Sequence, residues 1–182
     1  MMAGIRVIAG TAKGRRLETP SWTGLRPTSD RLRESLFNIL APRVSGARVT
    51  DGYAGTGALG IEALSRGAAH VTFIENDPRA LRLIAANLER AGMKSAGNAC
   101  TIVRAGFVDM AASYAGVPFD LVLLDPPYDD SGLAAALGAA ERIVSDDGLV
   151  VLEHATRVAP PGTPFRTVKA GDSSLSFYNR QR

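Results

Sequence analysis

Apolar and polar positions along the chain fall into alternating short blocks. Residues 5–9 and 15–19 alternate weakly around Gly10 to Gly14, which predicts a short hairpin. Residues 20–27 carry Pro20, Gly24 and Pro27 and read as a loop. Thr28 and Ser29 are N-cap candidates for a helix over about 29–41. Leu32, Leu36, Ile39 and Leu40 would form its apolar stripe, and Pro42 would stop it.

From residue 48 the pattern switches to alternating strands and helices. Strands are predicted over 48–51, 70–75, 101–104, 120–124 and 149–153, and helices over 58–66, 78–91, 107–114 and 131–144. Asp77-Pro78 caps and starts the second of those helices, with Leu81, Ile84 and Leu88 on one face and Gly92 past its end. Asp120 to Leu124 is a compact strand, apolar from Leu121 on, as in a strand covered on both faces. Two last strands, 165–169 and 174–179, flank Gly171-Asp172 and read as a closing hairpin. Strand–helix alternation predicts an α/β fold, Rossmann-like, with a mostly parallel sheet and right-handed crossovers. The chain divides at about residue 47 into an N-terminal hairpin and helix (1–47) and a core (48–182).

Composition narrows the classes. With 182 residues, 46% hydrophobic and 21% charged, the chain has the makeup of a folded protein, not a disordered one. The lone cysteine, Cys100, excludes an internal disulfide, and no metal site is expected. No apolar run approaches a membrane span, and the first 14 residues show no secretory h-region, so a cytoplasmic protein is expected. Charge is uneven: residues 1–48 carry nine basic and three acidic residues, and the remaining 134 are net −3. Such asymmetry points to a polyanion met by the N-terminal end, although a solvated basic surface would look the same.

Two motifs carry chemistry. Gly55-x-Gly57-x-x-Gly60 follows a predicted strand and opens a predicted helix, and Glu75 ends the next strand 20 residues after Gly55. That arrangement fits a nucleotide-type cofactor, with the acid on ribose hydroxyls. A dinucleotide would set its pyrophosphate on the helix N-terminus. S-adenosylmethionine (SAM) has no phosphate, and its ammonium would seek an acid such as Asp51, which could equally be a turn residue. The second motif, Asp125-Pro126-Pro127-Tyr128, follows the strand 120–124 and should face the glycine loop across the crevice. There the Asp125 carboxylate and the Pro126 carbonyl can accept both N–H bonds of an exocyclic base amine, freeing its lone pair to attack an electrophilic methyl. Tyr128 can stack on the base.

These motifs resemble amino-directed SAM methyltransferases. More narrowly, four stretches resemble the RsmD-type 16S rRNA guanine-N2 methyltransferases: Arg6-Val-Ile-Ala-Gly with Gly14-Arg15, Leu25 to Asn38, Asp51 to Arg66, and the Asp125 motif. The resemblance runs from about residue 5 to Tyr178. It implies a SAM-methyltransferase fold and methyl transfer to N2 of a guanine in 16S rRNA, within the small ribosomal subunit or an assembly intermediate. It implies that Asp51, Gly55, Gly57 and Glu75 hold SAM, that Asn76 and Phe107 flank its adenine, and that Thr28 closes over the methionine end. Asp125, Pro126, Pro127 and Tyr128 would hold the target base. Lys13, Arg15, Arg16 and Arg26 are the candidate RNA contacts at the rim. Nothing implies an oligomer, and a monomer is expected. One departure stands out: Ala105-Gly106 occupies the place where many SAM sites read the adenine amine with an acid or amide, leaving that role to backbone groups or Asp109.

Rival readings are a DNA or free-RNA amino methyltransferase, a protein glutamine methyltransferase, a catalytically silent RNA-binding module, and a dehydrogenase. The acid at Asp125, where glutamine-directed enzymes usually carry Asn, weighs against the second rival. A dehydrogenase leaves the Asp125 motif unexplained.

Overall fold

The computed structural model describes residues 5–22, 29–93, 99–127 and 130–180. The element order is α1 (Asp30–Val44), β1 (Arg48–Asp51), α2 (Ala58–Ser65), β2 (His70–Glu75), α3 (Pro78–Arg90), β3 (Cys100–Arg104), α4 (Phe107–Ser113), β4 (Phe119–Leu124), α5 (Asp130–Ile143), β5 (Val144–Ala155), β6 (Arg166–Ala170) and β7 (Ser173–Asn179). One seven-stranded sheet runs in the order β3-β2-β1-β4-β5-β7-β6. The first five strands are parallel, and β7 is antiparallel to both β5 and β6. The α/β fold is therefore a mostly parallel sheet closed by an antiparallel hairpin.

Local chemistry explains the elements. Asp77 caps α3 by accepting from Arg79 N–H, Pro78 supplies a first position that needs no donor, and Gly92 turns the chain at φ +74°. Gly171, at φ +64°, turns β6 into β7. Strands β1 and β4 are buried along nearly their whole length, as central parallel strands are.

Several expectations shift. Helix α1 runs through Pro42 to Val44, because a proline in the final turn forfeits one hydrogen bond while Leu40 and Val44 are still gaining burial. Its buried face is Leu32, Leu36, Phe37, Leu40 and Val44, with Ile39 only partly covered. On α3 the buried face is Ala80, Leu83, Ile84, Asn87 and Leu88, and Leu81 lies at its edge. Strand β5 starts at Val144, five residues before the expected Leu149, since Val144 pairs with Phe119 of β4 across an irregularity in the ladder.

The N-terminal segment belongs to the main core. Ile5, Val7, Ala12 and Leu17 share one apolar cluster with α1, α2 and β1. The expected hairpin forms as a single bridge, Arg6 to Arg16, flanked by backbone bonds from Val7 N–H to Arg15 O (2.9 Å) and Leu17 N–H to Ile5 O (2.8 Å). It is fastened to α2 by polar groups. Glu62, fully buried, accepts from the backbone of Ile8 (2.7 Å) and Ala9 (3.0 Å), and Ser65 bonds Ala9 O and Ala12 N–H. At Gly10 the chain passes so close to the Ser65 carbonyl that a Cβ would overlap it. Arg33 is buried as well, donating to Arg6 O (2.7 Å) and Asp30 (2.6 Å).

Candidate active site

The carboxyl ends of β2, β1 and β4 lie side by side and deliver three acids to one edge. Asp51 is the last residue of β1, paired with Phe73 on β2 and with Leu123 on β4. Glu75 and Asp125 each follow those partners by two residues. Neighbouring strands are about 4.8 Å apart, so the three acids share a short stretch of the crevice where open α/β sheets bind ligands.

Between Asp51 and α2 the glycine loop folds as its spacing requires. Gly55 and Gly57 adopt φ of +53° and +77°, a region that side-chain-bearing residues avoid. Gly60 lets α2 settle on β2, since a Cβ there would overlap the Phe73 ring. Gly52 has the same kind of role beneath the loop: a Cβ would come within 2.6 Å of Leu124 and 2.8 Å of Phe107. Sequence reading assigned Gly52 no role, because close approach from β4 and α4 is a tertiary fact.

The acids also brace the loop. One Glu75 oxygen accepts from Gly55 N–H at 2.9 Å, and the other from Asn76 and Asp77 N–H at 2.8 and 2.9 Å. Asp51 is 1% exposed; its Oδ2 accepts from Gly60 N–H at 3.0 Å, while Oδ1 is buried with no partner among the described residues. Burial pushes the Asp51 carboxyl up to about 7 against the pull of the Gly60 bond, and the nearby Glu75 charge adds to the rise. A buried carboxylate oxygen with no donor, beside a loop that glycine keeps open, suits a cationic group. The SAM ammonium meets that need, whereas a pyrophosphate there would face two acids.

Not every candidate is presented as expected. Phe107 is 2% exposed and lies beneath Gly52, with its ring 5.6 Å from that of Tyr53. It forms the floor of the loop and offers no open face to an adenine, because α4 packs its first residue into the core. Asn76 is exposed at the edge. Asp109, on the first turn of α4, lies back against Gly106. Asp125 is half-buried, Pro126 buried and Pro127 exposed, directly after β4. Thr28, Arg26 and Tyr128 lie outside the described residues.

The basic hairpin tip is not at this edge. Ser65, at the far end of α2, holds Thr11 and Ala12. Arg15 donates to the carbonyl of Arg90 at the end of α3 (3.2 Å), a favourable place for a cation at a helix C-terminus. Arg15 is thus held at the C-terminal end of α3, whereas Glu75 lies just before its N-terminal cap, and Lys13 is exposed on the hairpin tip. Arg16 is exposed beside its bridge to Arg6. Trp22 packs under Arg79 of α3, 5.0 Å from guanidinium to ring. Sequence reading missed the buried polar residues Glu62, Ser65 and Asn87; a polar residue on an amphipathic helix carries no sign of which face it occupies.

The family model described as "Conserved hypothetical protein 95" matches residues 5–179. The chain is 38% identical over 184 residues to Ribosomal RNA small subunit methyltransferase D of Escherichia coli (strain K12), covering 97% of this chain and 90% of that protein. Among solved structures, the putative methyltransferase yhhF of Escherichia coli superposes with a TM-score of 0.82 at 36% identity, covering 98% of this chain and 99% of that one. A hypothetical protein of Thermus thermophilus superposes with a TM-score of 0.79 at 30% identity, covering 96% and 99%. Fold, glycine loop and near-full-length identity agree: the chain belongs to this family, the RsmD-type ribosomal RNA methyltransferases, and is a SAM-dependent methyltransferase.

Proposed function

We propose that the protein transfers the methyl group of SAM to the exocyclic N2 amine of a guanine in 16S rRNA, within the small ribosomal subunit or an assembly intermediate. The observation that carries this reading is the Asp125-Pro126-Pro127 turn on the strand next to Asp51, at the edge where the glycine loop lies. Family membership, with a relative named as a small-subunit rRNA methyltransferase, supports the RNA substrate. The N-terminal 47 residues act as the RNA-binding extension, and residues 48–182 as the catalytic core. The protein works as a cytoplasmic monomer; among the described residues no helix is long and apolar enough to cross a membrane.

SAM, when bound, supplies an electrophilic sulfonium methyl. Asp51 neutralises a cation at the loop, and Glu75 has accepting capacity for hydroxyl groups beside its backbone bonds. At the target amine, the Asp125 carboxylate and Pro126 carbonyl accept the two N–H bonds and leave the nitrogen lone pair free to attack. One nitrogen–carbon bond forms as one sulfur–carbon bond breaks. The methylated amine is then strongly acidic and gives its proton to Asp125 or solvent. Tyr128 stacks on the base, which must leave its own stack to reach the turn. Lys13, Arg15, Arg16 and Arg26 contact the RNA.

Labelled SAM with unmodified small subunits, naked 16S rRNA and duplex DNA tests this directly. Label in N2-methylguanosine from ribosomal material is expected. Label in N6-methyladenine or N4-methylcytosine would overturn the choice of base, and no label at all, with SAM binding measured, would move the reading to a protein substrate or a silent RNA-binding module. Asp125→Ala should bind S-adenosylhomocysteine normally yet lose about a hundredfold or more in turnover, as removal of a transition-state hydrogen-bond partner does. Near-normal turnover would remove Asp125 from the mechanism.

A further inference from the structure

Three side chains from three elements brace the glycine loop. Asp51 on β1 takes Gly60 N–H, Glu75 on β2 takes Gly55 N–H, and Asn87 on α3 holds the residue between the two left-handed glycines, donating to the Thr56 carbonyl at 2.9 Å. Asn87 is fully buried. Its remaining capacity goes to the N-terminal segment. Nδ2 also donates to Glu18 O at 3.1 Å, and Oδ1 accepts from Glu18 N–H at 2.6 Å. Both donors of the carboxamide are thereby used, and it pairs with the Glu18 backbone as a neighbouring strand would.

The segment so gripped is a strap along α3. Arg15 lies at the helix's C-terminal end, Glu18 at Asn87, and Trp22 over Arg79 near its N-terminal end. The other anchor of Glu18 is an ion pair to Arg90 at 2.9 Å whose side chains are about half exposed, a weak hold. The buried carboxamide is therefore the principal link between strap and loop.

We propose that Asn87 is a positioning residue of the cofactor site. It fixes the Thr56 carbonyl, and so the Gly55–Gly57 turn, and it couples that turn to the strap, so that an ordered strap is part of cofactor binding. This rests on the glycine loop being the SAM site. No other residue type meets the pattern at this size: Asp keeps the acceptor for Glu18 N–H but sets a carboxylate against two carbonyls, and Leu leaves the Glu18 N–H and the buried Thr56 carbonyl without this partner.

The test measures S-adenosylhomocysteine binding by calorimetry, alongside KM for SAM, KM for small subunits and kcat. Asn87→Asp is expected to weaken S-adenosylhomocysteine binding and raise KM for SAM by about tenfold, the order that loss of one or two buried hydrogen bonds produces. kcat at saturating SAM and KM for the RNA should stay near wild type. Arg90→Ala, which loosens the strap only at the surface, should change cofactor affinity less than about twofold. A folded Asn87→Asp protein with reduced thermal stability but wild-type cofactor affinity would reduce Asn87 to a packing role and overturn the proposal.

Hydrogen exchange on the wild-type protein keeps the test open if the variant does not fold. Adding S-adenosylhomocysteine should slow exchange of the Glu18 amide together with the Gly55–Gly57 amides. Protection of the loop without Glu18 would overturn the coupling. Absence of any protection at the loop would instead overturn its assignment as the cofactor site, and Asp51→Asn with undiminished affinity would do the same.

Discussion

Two buried carboxylates, one before the glycine loop and one on α2 after it, are treated in opposite ways. Glu62, in its second turn, is fully buried and has three donors: Ile8 N–H, Ala9 N–H and the Arg66 Nε at 2.7 Å. Asp51, just before the loop that leads into the helix, is 1% exposed, and one of its oxygens has no donor among the described residues. Burying an ionised carboxylate is costly unless hydrogen bonds replace its water. Glu62 is compensated inside the chain, and what it obtains is the docking of the N-terminal hairpin. Asp51 is compensated only in part, and its missing partner is one that a ligand can bring. Two acids eleven residues apart on one motif thus divide into a structural clamp and a binding group, and the count of satisfied oxygens tells them apart.

The largest expected effect follows from breaking the clamp. Glu62→Ala removes three hydrogen bonds at once and leaves Arg66, largely buried over the Phe37 ring, without its carboxylate. Removing one partner of a buried pair costs about 3–5 kcal/mol, a large part of the stability of a domain. Urea unfolding should show this loss, and the amides of Ile8 and Ala9 should exchange rapidly even in folded molecules. A loss below about 1 kcal/mol would mean that the apolar contacts of Ile5, Val7 and Leu17 hold the hairpin unaided.

The matching change at Asp51 should act on binding and spare the fold. Asp51→Asn keeps an oxygen for Gly60 N–H and removes a charge that burial disfavours. The empty variant is expected to be at least as stable as wild type near pH 8. Its affinity for S-adenosylhomocysteine should fall roughly 10- to 100-fold, the range for losing a hydrogen bond to a charged group. Calorimetry and thermal unfolding on the same samples check both halves. A variant that unfolds more easily but binds normally would reverse the roles of the two acids.

The contrast between these acids also marks what could be read in advance. Alternation of strands and helices, the Asp77-Pro78 cap and the Gly55–Gly60 loop are local patterns, and they stand where the sequence places them. The early start of β5 was hidden because Ser145 to Gly148 has turn composition, and pairing with β4 overrides it. Glu62, Ser65, Asn87 and Arg33 were hidden for a different reason. Each is a polar residue on a helix, the usual mark of a solvated face, and each is buried because a distant backbone segment supplies its partners. Phe107 shows the converse: an aromatic beside a site reads as a ligand contact until the packing of α4 turns it inward. Proximity along the chain to a functional motif identified the edge, and only tertiary structure separated the residues that face it from those that build it.

The finest test of the comparison is the pH dependence of cofactor binding. In the folded protein the Asp51 carboxyl stands at about 7, above its ordinary 3.8. Between those pH values the folded chain holds a proton that the unfolded chain has released, so the group's stabilising share is full below about 3.8 and is lost as pH rises towards 7. A cation at Oδ1 reverses the preference, because it pairs with the ionised form. Binding then expels the proton at low pH and proceeds freely above 7. Affinity for S-adenosylhomocysteine should rise about tenfold from pH 6 to pH 8, the ratio of ionised fractions for a group at 7, and level off above. Asp51→Asn should flatten the profile, since no proton is left to expel at that position, whereas Glu62→Gln in a folded protein should keep it. A wild-type profile already flat across this range would mean that Asp51 is ionised before any ligand arrives, and the distinction between its open oxygen and the satisfied oxygens of Glu62 would lose its energetic basis.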